Sequence, residues 1–236
     1  MHPLLSTAIA GLYRASQARA PLRVEGCPCC MSPEQLAELL EVPLRELTHA
    51  QLKSYGSTAV TTVGSAEDFR YFWPRLAELA VAEPSASFFD PEILFGKVAE
   101  ANWRAWPVSE QQATESYAAA IIERMQDEAL APSDVDQWVC AVSQFLEDVT
   151  PLLDSALLSS NAAARQNLYG FYDWNRRAIE KRGTLHNGFW ESLSGSGETV
   201  MNPNVAKIVA WIRRADVAAA VDQAYADFCS RGEPAV

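Results

Sequence analysis

Three of the chain's five cysteines fall within four residues, in Gly26-Cys27-Pro28-Cys29-Cys30. Thiolates clustered this closely can ligate a soft or borderline metal, and zinc is the ordinary choice for sulfur ligation. Such a site needs a further ligand, and His49 is the nearest histidine. The usual zinc pattern has two spaced ligand pairs, whereas this chain has one compact cluster. Cys140 and Cys229 lie far along the chain and are not assigned to it. The same thiols could instead do redox chemistry, because a thiol near a helix N-terminus ionises more easily. Cys-Pro-Cys is not the spacing of thioredoxin-like proteins, and no βαβ pattern surrounds it. The plain alternative is a tight turn whose reduced cysteines pack as small hydrophobes.

The second group is acidic. Residues 105–164 carry ten carboxylates against the single basic residue Arg124, a net charge of −9 within a chain of −11. Residues 165–182 follow with a net charge of +3. Glu123 and Asp127 stand one helical turn apart, as carboxylate ligands do in helical bundles, but no Glu-x-x-His accompanies them. A solvated acidic face is the simpler expectation. Such a field steers a partner with a basic surface. The residues expected to form it are Glu123, Asp127, Asp134, Asp136, Glu147 and Asp148.

Two further groups carry weaker signals. His186 sits in Leu185-His186-Asn187-Gly188-Phe189-Trp190-Glu191, where it could act as an acid or base. No nucleophile-elbow, Walker or dinucleotide-binding pattern supports it. Arg176, Arg177, Lys181 and Arg182 follow Tyr169, Phe171, Tyr172 and Trp174, an interleaving that can bind single-stranded nucleic acid. It equally describes a helix with one packed aromatic side and one charged side.

The elements that must position these residues are helices. Ser32-Pro33-Glu34-Gln35 reads as a capping box with Met31 and Leu36 as its hydrophobic staple. Thr48-His49-Ala50-Gln51 repeats the arrangement. Ser65 with Asp68, Asp90-Pro91 and Asn202-Pro203 mark other helix starts. Val135, Trp138, Val139, Val142, Phe145, Leu146 and Val149 form one apolar stripe, with Asp134, Asp136, Glu147 and Asp148 pointing away. Phe69, Phe72, Trp73, Leu76, Leu79 and Ala80 form another, and Pro74 within it predicts a kink or break. The face changes near Asp216, which predicts a separate final helix. Gly183 to Asn202 is the longest expected loop. The expected fold is all-α, an irregular single-domain helical bundle over residues 1–236 with roughly nine to eleven helices.

The strings Gly26-Cys27-Pro28-Cys29-Cys30, Pro43-Leu44-Arg45-Glu46-Leu47-Thr48 and Asp68-Phe69-Arg70-Tyr71-Phe72-Trp73-Pro74-Arg75-Leu76 together resemble a group of bacterial helical proteins with no established activity. The match covers about the first third of the chain. It implies a bacterial, cytoplasmic, helical protein and carries over no functional residue.

Net charge of −11 disfavours nucleic acid as the main partner, since phosphate binding needs clustered cations. No apolar run reaches the roughly 18 residues of a membrane span, so no membrane partner is expected. Residues 1–20 lack the basic start of a secretory signal, and an odd cysteine count disfavours a disulfide framework. A reducing, cytoplasmic setting follows from that count. The leading expectation is a protein–protein interaction module with no assigned catalytic residue and no cofactor. Its concrete form is an immunity protein that neutralises a toxin through the acidic face. The alternative is a zinc-binding or thiol-redox protein using Cys27, Cys29, Cys30 and His49.

Overall fold

The computed structural model describes residues 2–82, 90–193 and 199–230 of the chain. Eleven α-helices are present among them, and the protein is all-α apart from one short strand pair. The chain forms two compact units, residues 1–120 and 121–236.

The first unit holds α1 (Pro3–Ala15), α2 (Pro33–Glu41), α3 (His49–Thr58), α4 (Ala66–Ala82), α5 (Pro91–Glu100) and most of α6 (Val108–Asp127). Both expected capping boxes form. Ser32 and Thr48 each accept from the backbone N–H of a Gln three residues on, whose side chain accepts in return. Ser65 and Asp68 do the same at the start of α4, with Asp68 in place of the Gln. The core is aromatic. The Trp73 ring meets Phe95 and Tyr117 edge-on, each at 5.8 Å. Its indole N–H donates to Thr114 Oγ1 at 3.1 Å, and the Tyr117 hydroxyl donates to the Ala77 carbonyl at 2.7 Å. These bonds satisfy polar atoms that burial would otherwise strand.

Helix α4 runs through Pro74 without a break, so of the kink or break that the proline predicted, the break does not occur. The ring removes one backbone hydrogen bond. Phe69, Phe72, Trp73, Leu76, Ala77 and Leu79 are buried on both sides of it, so tertiary packing outweighs the local loss. Glu110, at the start of α6, is also buried. It accepts from Arg70 Nε at 2.6 Å and Nη2 at 3.0 Å, and from the Gln17 backbone N–H at 2.6 Å.

The second unit holds the end of α6, then α7 (Pro132–Val142), α8 (Thr150–Leu158), α9 (Ala162–Arg182), α10 (Asn204–Ile212) and α11 (Ala215–Ser230). Helix α9 is the centre and packs against α7, α8, α10 and α11. The separate final helix expected near Asp216 is α11. Gly183 ends α9 with φ of +77°, a left-handed conformation suited to glycine, and its N–H donates to the Ile179 carbonyl. The stretch expected as one long loop contains an antiparallel pair, β1 (Glu191–Leu193) and β2 (Thr199–Met201), with Ser192 opposite Val200. Three residues per strand are too few to leave a period-2 signal.

Buried asparagines close the turns of this unit. Asn167 on α9 accepts from the Leu130 N–H and donates to the Met125 and Glu128 carbonyls. Asn204 on α10 accepts from the Val149 N–H at 3.0 Å and donates to the Ser143 and Leu146 carbonyls at 3.2 and 2.9 Å. Each satisfies backbone groups orphaned where one helix stops and the next begins.

Candidate metal centre

The cysteine turn is built on backbone contacts to a distant loop. Gly26 bridges Val63, the Cys27 N–H donates to the Thr62 carbonyl at 2.9 Å, and the Gly64 N–H donates to the Glu25 carbonyl at 2.6 Å. A Cβ on residue 26 would stand 3.0 Å from a Val63 methyl, so the strands of chain approach this closely only with glycine there. The turn closes on itself through Cys30 and Met31 N–H groups, both donating to the Cys27 carbonyl at 2.9 and 3.1 Å. Met31 is buried and anchors the turn to the core just before α2.

The opposing loop, residues 59–64, is held in turn. Val60 has φ of +68°, a conformation unfavourable for a β-branched residue. Lys97 on α5 donates to Thr61 Oγ1 at 3.3 Å. Thr62 Oγ1 donates to Cys30 Sγ at 3.3 Å.

This scaffold brings the three sulfurs together, all within 4.8 Å of one another. Cys29 Sγ and Cys30 Sγ are 3.8 Å apart. Cys29 is exposed, and Cys27 and Cys30 are half-buried. His49, the first residue of α3, is not a member of the group. The thiols share protons unequally. Hydrogen bonding from Cys29 draws the Cys27 thiol below its ordinary value, while the same bonding and the charge beside it push Cys29 up to about 11. The Cys27 thiol therefore ionises before that of Cys29, whose ionisation its charge opposes. A bound cation removes that conflict, since metal-coordinated thiols are deprotonated outright. Cys140 is buried within α7, and the side chain of Cys229 lies outside the described residues.

The acidic group is only partly a surface. Glu123, Asp127, Glu147 and Asp148 are exposed and Asp134 is half-buried. Asp136 is a correction: it is 2% exposed, not part of the outward face. Asp136, Cys140 and Ser143 form a second buried stripe on α7 beside the apolar one, so two sides of that helix are covered. Asp136 accepts from Asn175 Nδ2 on α9 at 2.7 Å. Asp148 is engaged by the Thr150 N–H and hydroxyl at 2.9 and 2.8 Å, where it opens α8.

Burial raises the Asp136 carboxyl to about 6. Its folded-state value exceeds the unfolded one, so its contribution is favourable below about pH 4 and is lost as pH rises through about 6. Ionising it in the folded state costs about 3 kcal/mol. Asp136→Asn is expected to be more stable than the parent at pH 7 by up to that amount, with the difference vanishing near pH 4. Urea denaturation at both pH values checks it; a variant destabilised equally at both contradicts it.

His186 and the basic residues of α9 are brought together. The His186 ring lies 4.5 Å from the Trp174 ring. Nothing in the sequence joined them, because Gly183 reverses the chain between the two. Among the described residues no helix is long and apolar enough to cross a membrane. Set against known protein families, curated proteins and solved structures, the chain matches none of them.

Proposed function

We propose that the protein binds a thiophilic metal ion, zinc in the first instance, through Cys27, Cys29 and Cys30. The observation that carries this reading is the 3.8 Å separation of Cys29 Sγ and Cys30 Sγ within a group of three sulfurs. Zinc–sulfur bonds of about 2.3 Å meeting at tetrahedral angles place sulfurs about 3.8 Å apart. Three thiolates leave a fourth position for water or an incoming ligand, and Cys29 faces solvent. An open, exposed position suits an ion that is exchanged or used, whereas structural zinc sites are closed by four protein ligands.

The acidic docking surface is the second reading, and the exposure of Glu123, Asp127 and Glu147 supports it. It has lost Asp136 to the core, and Asp148 is engaged by Thr150 at the start of α8. A basic protein partner, including a toxin held by an immunity protein, would engage the remaining carboxylates.

Titration of the fully reduced protein with zinc against a chromophoric chelator tests the first reading. About one equivalent is expected to bind, and cobalt in its place should give thiolate charge-transfer absorption. Cys29→Ser and Cys30→Ser are each expected to weaken binding by a factor of about ten or more, since each removes one of three ligands. Less than about a tenth of an equivalent bound would sink the reading, because genuine thiolate sites bind far more tightly.

A further inference from the structure

Asp173, Trp174, Arg177, Ala178, Lys181, Arg182 and His186 line a groove of about 340 Å³. The first six lie on α9 at helical spacing, so they occupy one face of it. In a core-facing helix that face would be apolar. Here it carries one indole and three cations against the single carboxylate of Asp173, which Arg176 and Arg177 already pair, in a chain whose net charge is −11.

The walls are fixed. Arg182 Nη2 donates to the Leu185 and His186 carbonyls at 3.2 and 3.0 Å, folding the chain after Gly183 back along the helix. The His186 N–H donates to Asn175 Oδ1 at 2.9 Å, and Asn175 is wholly buried. These bonds set the imidazole at 59° to the indole. Burial and the neighbouring Arg182 hold His186 below its ordinary value, so the ring is neutral at neutral pH and offers one donor and one acceptor.

The cations differ in what they have left to give. Arg177 is paired with Asp173 at 2.8 Å, and Asp173 is shared with Arg176. Arg182 is committed to the loop carbonyls. Lys181 is exposed and makes no ion pair with any carboxylate among the described residues. The groove therefore presents aromatic surface, a neutral imidazole and an ammonium group without a counter-ion.

We propose that this groove binds a small molecule made of a planar aromatic ring and an anionic group, of the size of a mononucleotide or an aromatic carboxylate. The ring stacks against Trp174 with His186 at its edge, and the anion meets Lys181 with Arg177 beside it. Ligand pockets start at about 300 Å³, so the space admits one such molecule. Stacking and charge act together here: each base-sized ring on an aromatic side chain contributes about 1–3 kcal/mol.

Calorimetric titration of the intact protein with four probes tests this. AMP and indole-3-acetate carry both ring and charge, as phosphate and carboxylate respectively. Adenosine carries the ring alone and inorganic phosphate the charge alone. At least one of the first two is expected to bind about tenfold or more tightly than both of the last two. Which of the two binds assigns the anion. Lys181→Glu and Trp174→Ala should each weaken it by about tenfold or more, and Trp174→Phe should restore most of the loss. Phe189→Ala, exposed and outside the groove, should change nothing. Phosphate or adenosine binding as tightly as the better of the two ring-bearing anions, no binding of either ring-bearing anion, or unchanged affinity in folded Lys181→Glu would overturn the proposal. So would a ten-residue thymidine strand binding far more tightly than AMP, which would make the groove part of a strand-binding surface.

Discussion

Asn204→Ala is expected to destabilise the protein by about 3–5 kcal/mol, since it strands three buried groups at about 1–3 kcal/mol apiece with partial relief from entering water. Those groups are the Val149 N–H and the Ser143 and Leu146 carbonyls, all partnered by one side chain with no exposed surface. Asn204→Asp keeps the acceptor and replaces two donors with a charge, so it should be at least as damaging. Lys207→Ala, one turn further along α10, removes an exposed contact to the Glu147 carbonyl and to Asp148 at 3.7 Å. Its expected effect is under about 1 kcal/mol. Urea unfolding of the three variants measures the contrast. A loss below about 1 kcal/mol for Asn204→Ala would mean that other groups close the turn between α7 and α8.

Glu110→Ala should destabilise by about 3 kcal/mol, at the lower edge of what breaking a buried ion pair costs. Glu110 is 5% exposed and accepts three bonds from two separate parts of the first unit: Arg70 on α4 through two nitrogens, and the Gln17 N–H just after α1. Removing it leaves the Arg70 guanidinium with Glu67 at 3.1 Å, an exposed carboxylate that compensates only in part. Replacing both residues, as Arg70→Leu with Glu110→Leu, removes the stranded charge along with its partner. That double variant is expected to be more stable than Glu110→Ala alone, because much of the single variant's loss is the unpaired cation. Thermal melts of the single and double variants decide it; additive losses would show that the pair does not act as a unit.

What was legible in the sequence was local. Capping boxes at Ser32 and Thr48 are read within four residues, and both form. The apolar stripe through Val135, Trp138 and Val142 is likewise a short-range pattern, and those residues are buried. What failed depended on distant neighbours. Asp136 looked outward because periodicity defines one buried face, whereas α9 covers a second and supplies Asn175 to the carboxylate. Pro74 predicted a kink or a break because its local effect is unfavourable; the helix is unbroken there, and the burial around the proline outweighs that effect. For the candidate site, the three thiols were visible as composition. The loop that shapes them was not, since Thr62 lies 32 residues from Cys30. The meeting of His186 with Trp174 depended on a reversal at Gly183 and on Arg182 bonding to its own downstream carbonyls.

The cysteine turn is held by main-chain bonds joining Glu25 to Gly64 and Cys27 to Thr62, on either side of the Gly26–Val63 bridge, and neither involves a sulfur. Chain order at this point is therefore independent of whatever the sulfurs hold. In small zinc modules, loading and folding are one event, and an ion leaves only as the chain comes apart. For an ion held as proposed above, the two processes would be uncoupled. Such an ion would arrive and depart at the speed of ligand exchange, with the helices unmoved, and would pass directly to a competing thiol that approaches from the side of Cys29.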